Sequence, residues 1–308
     1  MSCVFGPVPS RRLGRSLGVD LIPFKTCSYD CIYCQLGHTT CKTVERKEWL
    51  PLQTVMEDLK PKLALNPDWI TLSGSGEPTL YSRLDELIAG IHEVTNVPVA
   101  VLTNGSLLWK PDLRRQISKA DLVIPSLDGG DPETFQTINC PSPNISFEAM
   151  REGLIAFRQE FINPYWLEIL LLEGINAEGE PLEHLIRCAK EIEPDRIQLN
   201  TATRPPADPN AHPVSPARMQ QIAARFSPAA EVIADYRNVH AQADFSSQKD
   251  AVMELLDRRP CTLDDITSGL GIHRNEAVKY IEELTEAGQL AAETIAEKIF
   301  YKPTRKED

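Results

Sequence analysis

The chain has 308 residues, 42% of them hydrophobic and 25% charged, with a formal net charge of −12. These proportions are those of an average soluble protein, and no apolar run approaches the ~18 residues needed to cross a bilayer. The N-terminal MSCVFGPVPSRRLGRSLG has no apolar core followed by a small-residue cleavage site. We therefore expect a cytoplasmic protein, and the negative charge opposes long-range attraction to a polyanion.

The length exceeds the ~100–200 residues of one ordinary domain, which fits either a barrel-sized domain with a small appendage or two ordinary domains. From about residue 17 to 233, short runs rich in Val, Ile and Leu alternate with helix-length amphipathic stretches. That rhythm predicts βα units around a parallel sheet. Six units are legible, with strands over 18–22, 69–73, 97–103, 122–126, 166–172 and 196–199, and with helices such as 81–94 and 147–159. The expected fold class is α/β, a partial (β/α)6 TIM-like barrel over 1–240. Its chemistry belongs on the strand-to-helix loops.

The rhythm stops around 234–247, where HAQADFSSQ reads as a linker. Three helices follow in KDAVMELLDRR, TLDDITSGLG and HRNEAVKYIEELTEAGQL, with Thr262 as an N-cap and Gly271 and Gly288 as stops. The terminal AAETIAEKIFYKP reads as a β-hairpin. Three helices and a hairpin predict a winged helix-turn-helix over 246–308.

Of eight cysteines, three crowd into TCSYDCIYCQLG as Cys27-x3-Cys31-x2-Cys34, just after the first strand. In a reducing compartment such a cluster points to a metal rather than to disulfides. Three thiolates at this spacing can hold three corners of an Fe-S cube and leave the fourth position open. A structural zinc would need a fourth ligand, for which His38 and Cys41 are the nearest candidates.

CxxxCxxC with Tyr33 before its last cysteine resembles the signature of the radical S-adenosylmethionine superfamily. The resemblance extends in order through PSRRLGRSLGVDL, SGSGEPTLY, LTNGSLL, SLDGGDPETFQTIN and IQLNTATRPP, over 7–206. It is similar to the branch that includes the tRNA wybutosine-synthesis enzymes, without their second cysteine set, since only Cys3 precedes the triplet. The resemblance implies a 4Fe-4S cluster on Cys27, Cys31 and Cys34. It also implies S-adenosylmethionine on the fourth iron, cleaved by one electron to a 5′-deoxyadenosyl radical, and a low-potential donor such as flavodoxin or ferredoxin.

Family positions carry over residue by residue. Gly74, Gly76 and Glu77 of SGSGEP match the loop that binds the methionine ammonium, where glycine allows close backbone approach and the acid supplies opposite charge. Thr103, Asn104, Ser126 and Asp128 match positions that contact ribose and carboxylate, and Asn200 with Thr201 positions near adenine. The same segments also read as ordinary turns, with Pro78 opening a helix.

Outside these motifs, Cys140 in TINCPSPN is a candidate for acting on substrate, though single thiols are more often inert. Arg11, Arg12 and Arg15, with Arg204, can guide an anionic substrate or form a solvated arm. Residues 246–308 hold nine Lys or Arg against thirteen Asp or Glu, which argues against DNA binding by the winged helix. The leading reading is a radical enzyme acting on a protein or peptide, an RNA nucleoside or a small metabolite. The rivals are an Fe-S redox sensor or transcription regulator and a zinc-stabilised interaction protein; neither explains SGSGEP or SLDGG.

Overall fold

In the computed structural model, the residues described are 2–10, 12–202, 206–233, 246–258, 260–270, 272–295 and 298–304. Strand β1 (Val4–Ser10) runs antiparallel to β2 (Gly14–Asp20). A two-residue pair, β3 (Thr26–Cys27) and β4 (Cys41–Lys42), closes the base of the cysteine loop. Helix α1 (Leu52–Lys62) leads to β5 (Trp69–Ser73), α2 (Leu84–Val94) to β6 (Val99–Thr103), and α3 (Pro111–Ile117) to β7 (Leu122–Pro125). Helices α4 (Pro132–Asn139) and α5 (Phe147–Glu160) precede β8 (Trp166–Leu171), and α6 (Gly179–Ile192) precedes β9 (Arg196–Thr201). Helix α7 (Pro216–Ala223) and the short β10 (Glu231–Val232) complete this part.

The order β1-β2-β5-β6-β7 forms one sheet and β8-β9-β10 a second. Parallel bridges Val123↔Tyr165 and Ser126↔Glu168 join β7 to β8. The six expected strands thus form one parallel arc, β2-β5-β6-β7-β8-β9, with every C-terminal end on the same side. The first strand lies earlier than expected, at 14–20 rather than 18–22, because Ser16 and Gly18 face inward and interrupt the apolar run. Outward residues such as Leu17, Val19, Ile70, Leu72, Val101 and Ile169 pack against the helices in one fully buried core. Truncating one of these leucines to alanine costs about 2–5 kcal/mol. Inside the arc, Leu13, Ala100, Leu122 and Ile124 plug the lower bore against Trp69, Leu102 and Trp166.

The C-terminal segment contributes α8 (Ser246–Arg258), β11 (Cys261–Thr262), α9 (Leu263–Leu270), α10 (Arg274–Glu286), β12 (Leu290–Ile295) and β13 (Lys298–Pro303). The strands pair antiparallel in the order β11-β13-β12. Thr262 Oγ1 accepts the N–H of Asp265 at 3.2 Å, as the cap reading predicts. The segment's core of Val252, Leu256, Ile266, Ala277, Tyr280, Ile281 and Leu284 is separate from that of the arc. The linker expected over 234–247 lies outside the described residues up to 245, and its last two residues instead open α8; Gly271 is also outside the described residues. The hairpin occupies the stretch expected of it.

One relationship was not anticipated: α10 packs on β1. The His273 ring stacks on Phe5 with centroids 4.4 Å apart and planes 8° from parallel. Its Nε2 lies 3.4 Å from Asp20 Oδ2, and the Arg274 guanidinium sits 4.0 Å from the centre of the Phe24 ring.

Candidate functional site

The C-terminal ends of the parallel strands open on a cavity of about 360 Å3. Inward positions alternate along each strand, so the lining takes Ser16 and Gly18 from β2, Thr71 and Ser73 from β5, and Glu168 and Leu170 from β8. These side chains are mostly small or polar, and they leave open the space that bulky residues fill below. Ser16 and Thr71 share a 2.5 Å hydroxyl hydrogen bond across neighbouring strands.

The cysteine loop lies over this bore. Each of the three sulfurs receives a nitrogen donor from a different place. Lys25 Nζ reaches Cys34 Sγ at 3.1 Å, Asn139 Nδ2 reaches Cys31 Sγ at 3.4 Å, and Asn104 Nδ2 reaches Cys27 Sγ at 3.6 Å. Burial, then the nearby Glu77 carboxylate, pushes the Cys27 thiol up to about 12. Burial together with Asp128 pushes Cys31 well above the usual thiol range. Each cysteine still keeps some surface open. Thiols this desolvated ionise when a cation compensates them. Tyr29, between the first two cysteines, has a buried hydroxyl without a hydrogen-bond partner, and Cys31, Glu77, Asp128 and Cys27 are its electrostatic neighbours. An orphaned donor beside two of the cysteines fits a polar inorganic group. Among the described residues no three His, Cys, Asp or Glu side chains converge as a shell for a single metal ion. His38 instead lies 3.4 Å from Asp30, and Cys41 is exposed.

The SGSGEP loop is stitched to the cysteine loop. Lys25 donates its N–H to the Ser75 carbonyl at 2.7 Å, and Glu77 donates its own to the Thr26 carbonyl at 3.2 Å. A Cβ on Gly76 would stand 1.9 Å from that Thr26 oxygen, and one on Gly74, whose φ is +140°, would stand 2.3 Å from Asp20 Oδ1. Only glycine fits either place. Asp20 holds the loop from β2, accepting the Ser75 hydroxyl at 2.5 Å and its N–H at 3.1 Å.

Glu77 is buried and accepts from Thr79 N, Thr79 Oγ1, Thr103 Oγ1 and Asn104 N at 2.6–3.0 Å. Burial raises its pKa and these donors lower it, with burial prevailing. Glu77 thereby fastens the β5 loop to the β6 loop. Asp128 is buried likewise, accepting from Tyr33 Oη at 2.5 Å, Asn139 Nδ2 at 2.8 Å and Leu170 N at 3.0 Å. Its carboxyl is also raised by burial. Asn139 therefore bridges a cysteine sulfur and Asp128.

A model of the radical SAM superfamily matches residues 21–187. The chain belongs to the radical SAM superfamily. As a radical SAM enzyme it takes a 4Fe-4S cluster and S-adenosylmethionine as its cofactors. It is 32% identical to a UPF0026 protein of Helicobacter pylori (strain J99), covering 97% of this chain and 96% of the relative. It is 36% identical to a UPF0026 protein of Methanocaldococcus jannaschii, over 74% of this chain and 72% of that one. A match at 39% identity to a protein named GTPase Obg from Brachyspira hyodysenteriae covers 95% of this chain and 44% of the relative. This chain thus spans less than half of that protein. Among solved structures, TYW1 with a lysine-pyruvate adduct aligns with a TM-score of 0.54 at 20% identity, over 70% of this chain and 74% of the other. A radical SAM methyltransferase from Sphaerobacter thermophilus aligns at 0.55 and 17%, over 70% of this chain and 66% of the other. These two share the fold.

Within this radical SAM arc, Tyr33, Cys34, Gly74, Ser126, Asp128, Asn200 and Arg12 line the cavity. Glu77, Thr103 and Asn104 form the polar layer behind it. Arg12 donates to Glu168 at 2.8 Å and to Gln198 at 3.4 Å. Asn200 donates to the other Glu168 oxygen at 3.1 Å. Two expected residues lie elsewhere. Arg15 turns away from the bore to the Leu65 carbonyl at 2.9 Å, because its neighbour Ser16 takes the inward position. Cys140, outside the cavity lining, is the left-handed C-cap of α4, with its sulfur 3.6 Å from the Thr137 carbonyl. Burial raises its thiol, which leaves it a weak nucleophile. Arg11 and Arg204 lie outside the described residues. Lys25, Asn139, Glu168 and Gln198 were missed by the motif reading. A signal for Asn139 stood in the sequence, as the last residue of SLDGGDPETFQTIN.

Proposed function

We propose that Cys27, Cys31 and Cys34 hold the 4Fe-4S cluster and that the cavity beside them seats S-adenosylmethionine and a substrate from which hydrogen is abstracted. When bound, the cluster would supply the electron for reductive cleavage of S-adenosylmethionine. The observation that carries this reading is the nitrogen donor at each of three sulfurs, at the open end of a polar bore. Lys25, Asn104 and Asn139 hold the sulfurs in place and offset their charge. In this reading Gly74 and Gly76 let the backbone come within hydrogen-bond range of the methionine ammonium. Glu77, already ordered by four donors, supplies opposite charge. Thr103, Asn104, Ser126, Asp128, Tyr33 and Asn200 position the remainder of the molecule. Arg12 orients the substrate through its pair with Glu168, and the bore excludes water from the radical.

We read the C-terminal segment as a winged helix-turn-helix over 246–308, with the barrel over 1–240; its separate core and β12–β13 hairpin support this. A cytoplasmic setting and a low-potential donor such as flavodoxin or ferredoxin complete the proposal. The rival, a DNA-binding Fe-S sensor, needs α10 to read a groove. In the structure Asn275, Val278 and Lys279 of that helix face the cavity instead.

The test is anaerobic reconstitution with iron and sulfide, then dithionite reduction with S-adenosylmethionine, following 5′-deoxyadenosine and the EPR signal. We expect cleavage that Cys31→Ala abolishes. A bound cluster with neither cleavage nor an EPR change on adding S-adenosylmethionine would overturn the reading.

A further inference from the structure

Helix α10 comes from the far end of the chain, yet it packs on β1, and its N-cap residue reaches the end of β2. That residue is His273. Its Nδ1 accepts the Asn275 N–H at 3.1 Å, which leaves the proton of the neutral ring on Nε2. Nε2 stands 3.4 Å from Asp20 Oδ2, with the two side chains only 11% and 9% exposed. An N–H dipole turned on a carboxylate so far from water is screened less than a surface pair. The Phe5 ring fixes the plane of the imidazole, parallel to it within 8° at a centroid distance of 4.4 Å. Phe5 in turn lies over Gly18, its partner across the strands, where a Cβ would stand 2.2 Å from the ring.

Asp20 carries the contact into the SGSGEP loop. It accepts the Ser75 hydroxyl at 2.5 Å and the Ser75 N–H at 3.1 Å. On the other flank the Lys25 N–H holds the Ser75 carbonyl at 2.7 Å, and Phe24, the residue before it, lies 4.0 Å from the Arg274 guanidinium. Two consecutive residues at the start of α10 therefore bear on the two segments that grip Ser75. A carboxylate that loses one of its three partners takes water in its place, and its hold on the loop slackens.

We propose that His273 is a positioning residue, acting through Asp20 to hold the SGSGEP loop in the shape that receives S-adenosylmethionine, so that the C-terminal segment contributes to cofactor affinity. The inference rests on the radical SAM reading of that loop and assigns the segment a part in it.

The coupling is tested on the full-length chain without a cluster, by hydrogen–deuterium exchange in peptides covering residues 73–77. His273→Asn keeps an N-cap for α10, while its shorter side chain withdraws from Asp20. We expect exchange at the loop to quicken about tenfold, since it follows the free energy of local opening. Exchange in β8 is expected to stay at the wild-type rate. In an Asp20→Asn background the same substitution is expected to add little, because the path it cuts is already broken. Unchanged loop exchange, acceleration of the loop and β8 alike, or an undiminished effect in the Asp20→Asn background would each overturn the positioning role. On the reconstituted enzyme, calorimetry is expected to show S-adenosylmethionine bound about fivefold more weakly by His273→Asn. Cleavage at saturating S-adenosylmethionine is expected to keep its rate, a change in KM rather than in kcat. Faster loop exchange with wild-type affinity would sink the assignment of this loop to the cofactor and leave the His273–Asp20 coupling standing.

Discussion

Tyr33 donates its hydroxyl to Asp128 at 2.5 Å, joining the cysteine loop to the loop after β7. The bond matters because Asp128 is buried and its other acceptor sites are taken by Asn139 and by Leu170 N–H. Tyr33→Phe leaves a buried carboxylate short of one donor, a loss of about 1–3 kcal/mol. Urea denaturation of the apoprotein is expected to show that loss, and calorimetry weaker binding of S-adenosylmethionine. An unchanged midpoint would show that the bond is dispensable.

Asn139 touches both Cys31 and Asp128. Removing an N–H donor from a cluster sulfur destabilises the more negatively charged, reduced cluster, so Asn139→Ala is expected to make the reduction potential more negative. An EPR-monitored redox titration reads this directly. A potential at or above that of wild type would mean that the amide does not act on the cluster.

Gly74 is fixed by space and by its φ of +140°, and Gly76 by space alone. Gly76→Ala drives a Cβ against the Thr26 carbonyl, and the neighbouring backbone must move. About 1–3 kcal/mol of strain is expected. It falls on the loop assigned to the methionine ammonium, so S-adenosylmethionine affinity is expected to drop at least about tenfold. Retained affinity in a folded variant would remove this loop from the cofactor site.

Asp131 supplies a pH-dependent contribution. Burial pushes its carboxyl up, but the Thr134 N–H, His184 and the Thr134 hydroxyl together hold it below the usual aspartate range. A depressed folded pKa means stability present above the unfolded value of 3.8 and lost as the pH falls through the folded value. Asp131→Ala removes the cap of α4, at about 1 kcal/mol near neutrality. The gap between wild type and variant is expected to close on acidification below 3.8. A gap independent of pH would assign the effect to packing.

Five of the six parallel strands were legible within about two residues as short runs rich in Val, Ile and Leu, whereas Ser16 and Gly18 on the inner face hid the start of β2. Strand β1 was not, since VFGPVPS carries two prolines and a glycine and survives as a strand only at an edge. The cysteine triplet, the glycine loop and the Asp128 segment were legible because ligand spacing and turn chemistry are local. Lys25, Asn139 and the docking of His273 on Phe5 and Asp20 were not. Asn139 and His273 depend on residues that the fold brings together from distant segments, and Lys25, though it reaches Cys34 within the same loop, matches no motif position. Arg15 went astray for a simpler reason. Period-two alternation sent its neighbour Ser16 inward, which turned Arg15 the other way.

The arc keeps its strands in sequence order, so neighbours around the mouth are neighbours along the chain. An insertion in one strand-to-helix loop therefore acts first on its own sector of the rim. The cysteine loop and the β9 loop stand at the two ends of that ordering. They nevertheless meet across the mouth, where Asp208 donates its N–H to the Ile32 carbonyl at 2.8 Å, so a change in the β9 loop is felt by the cysteine loop.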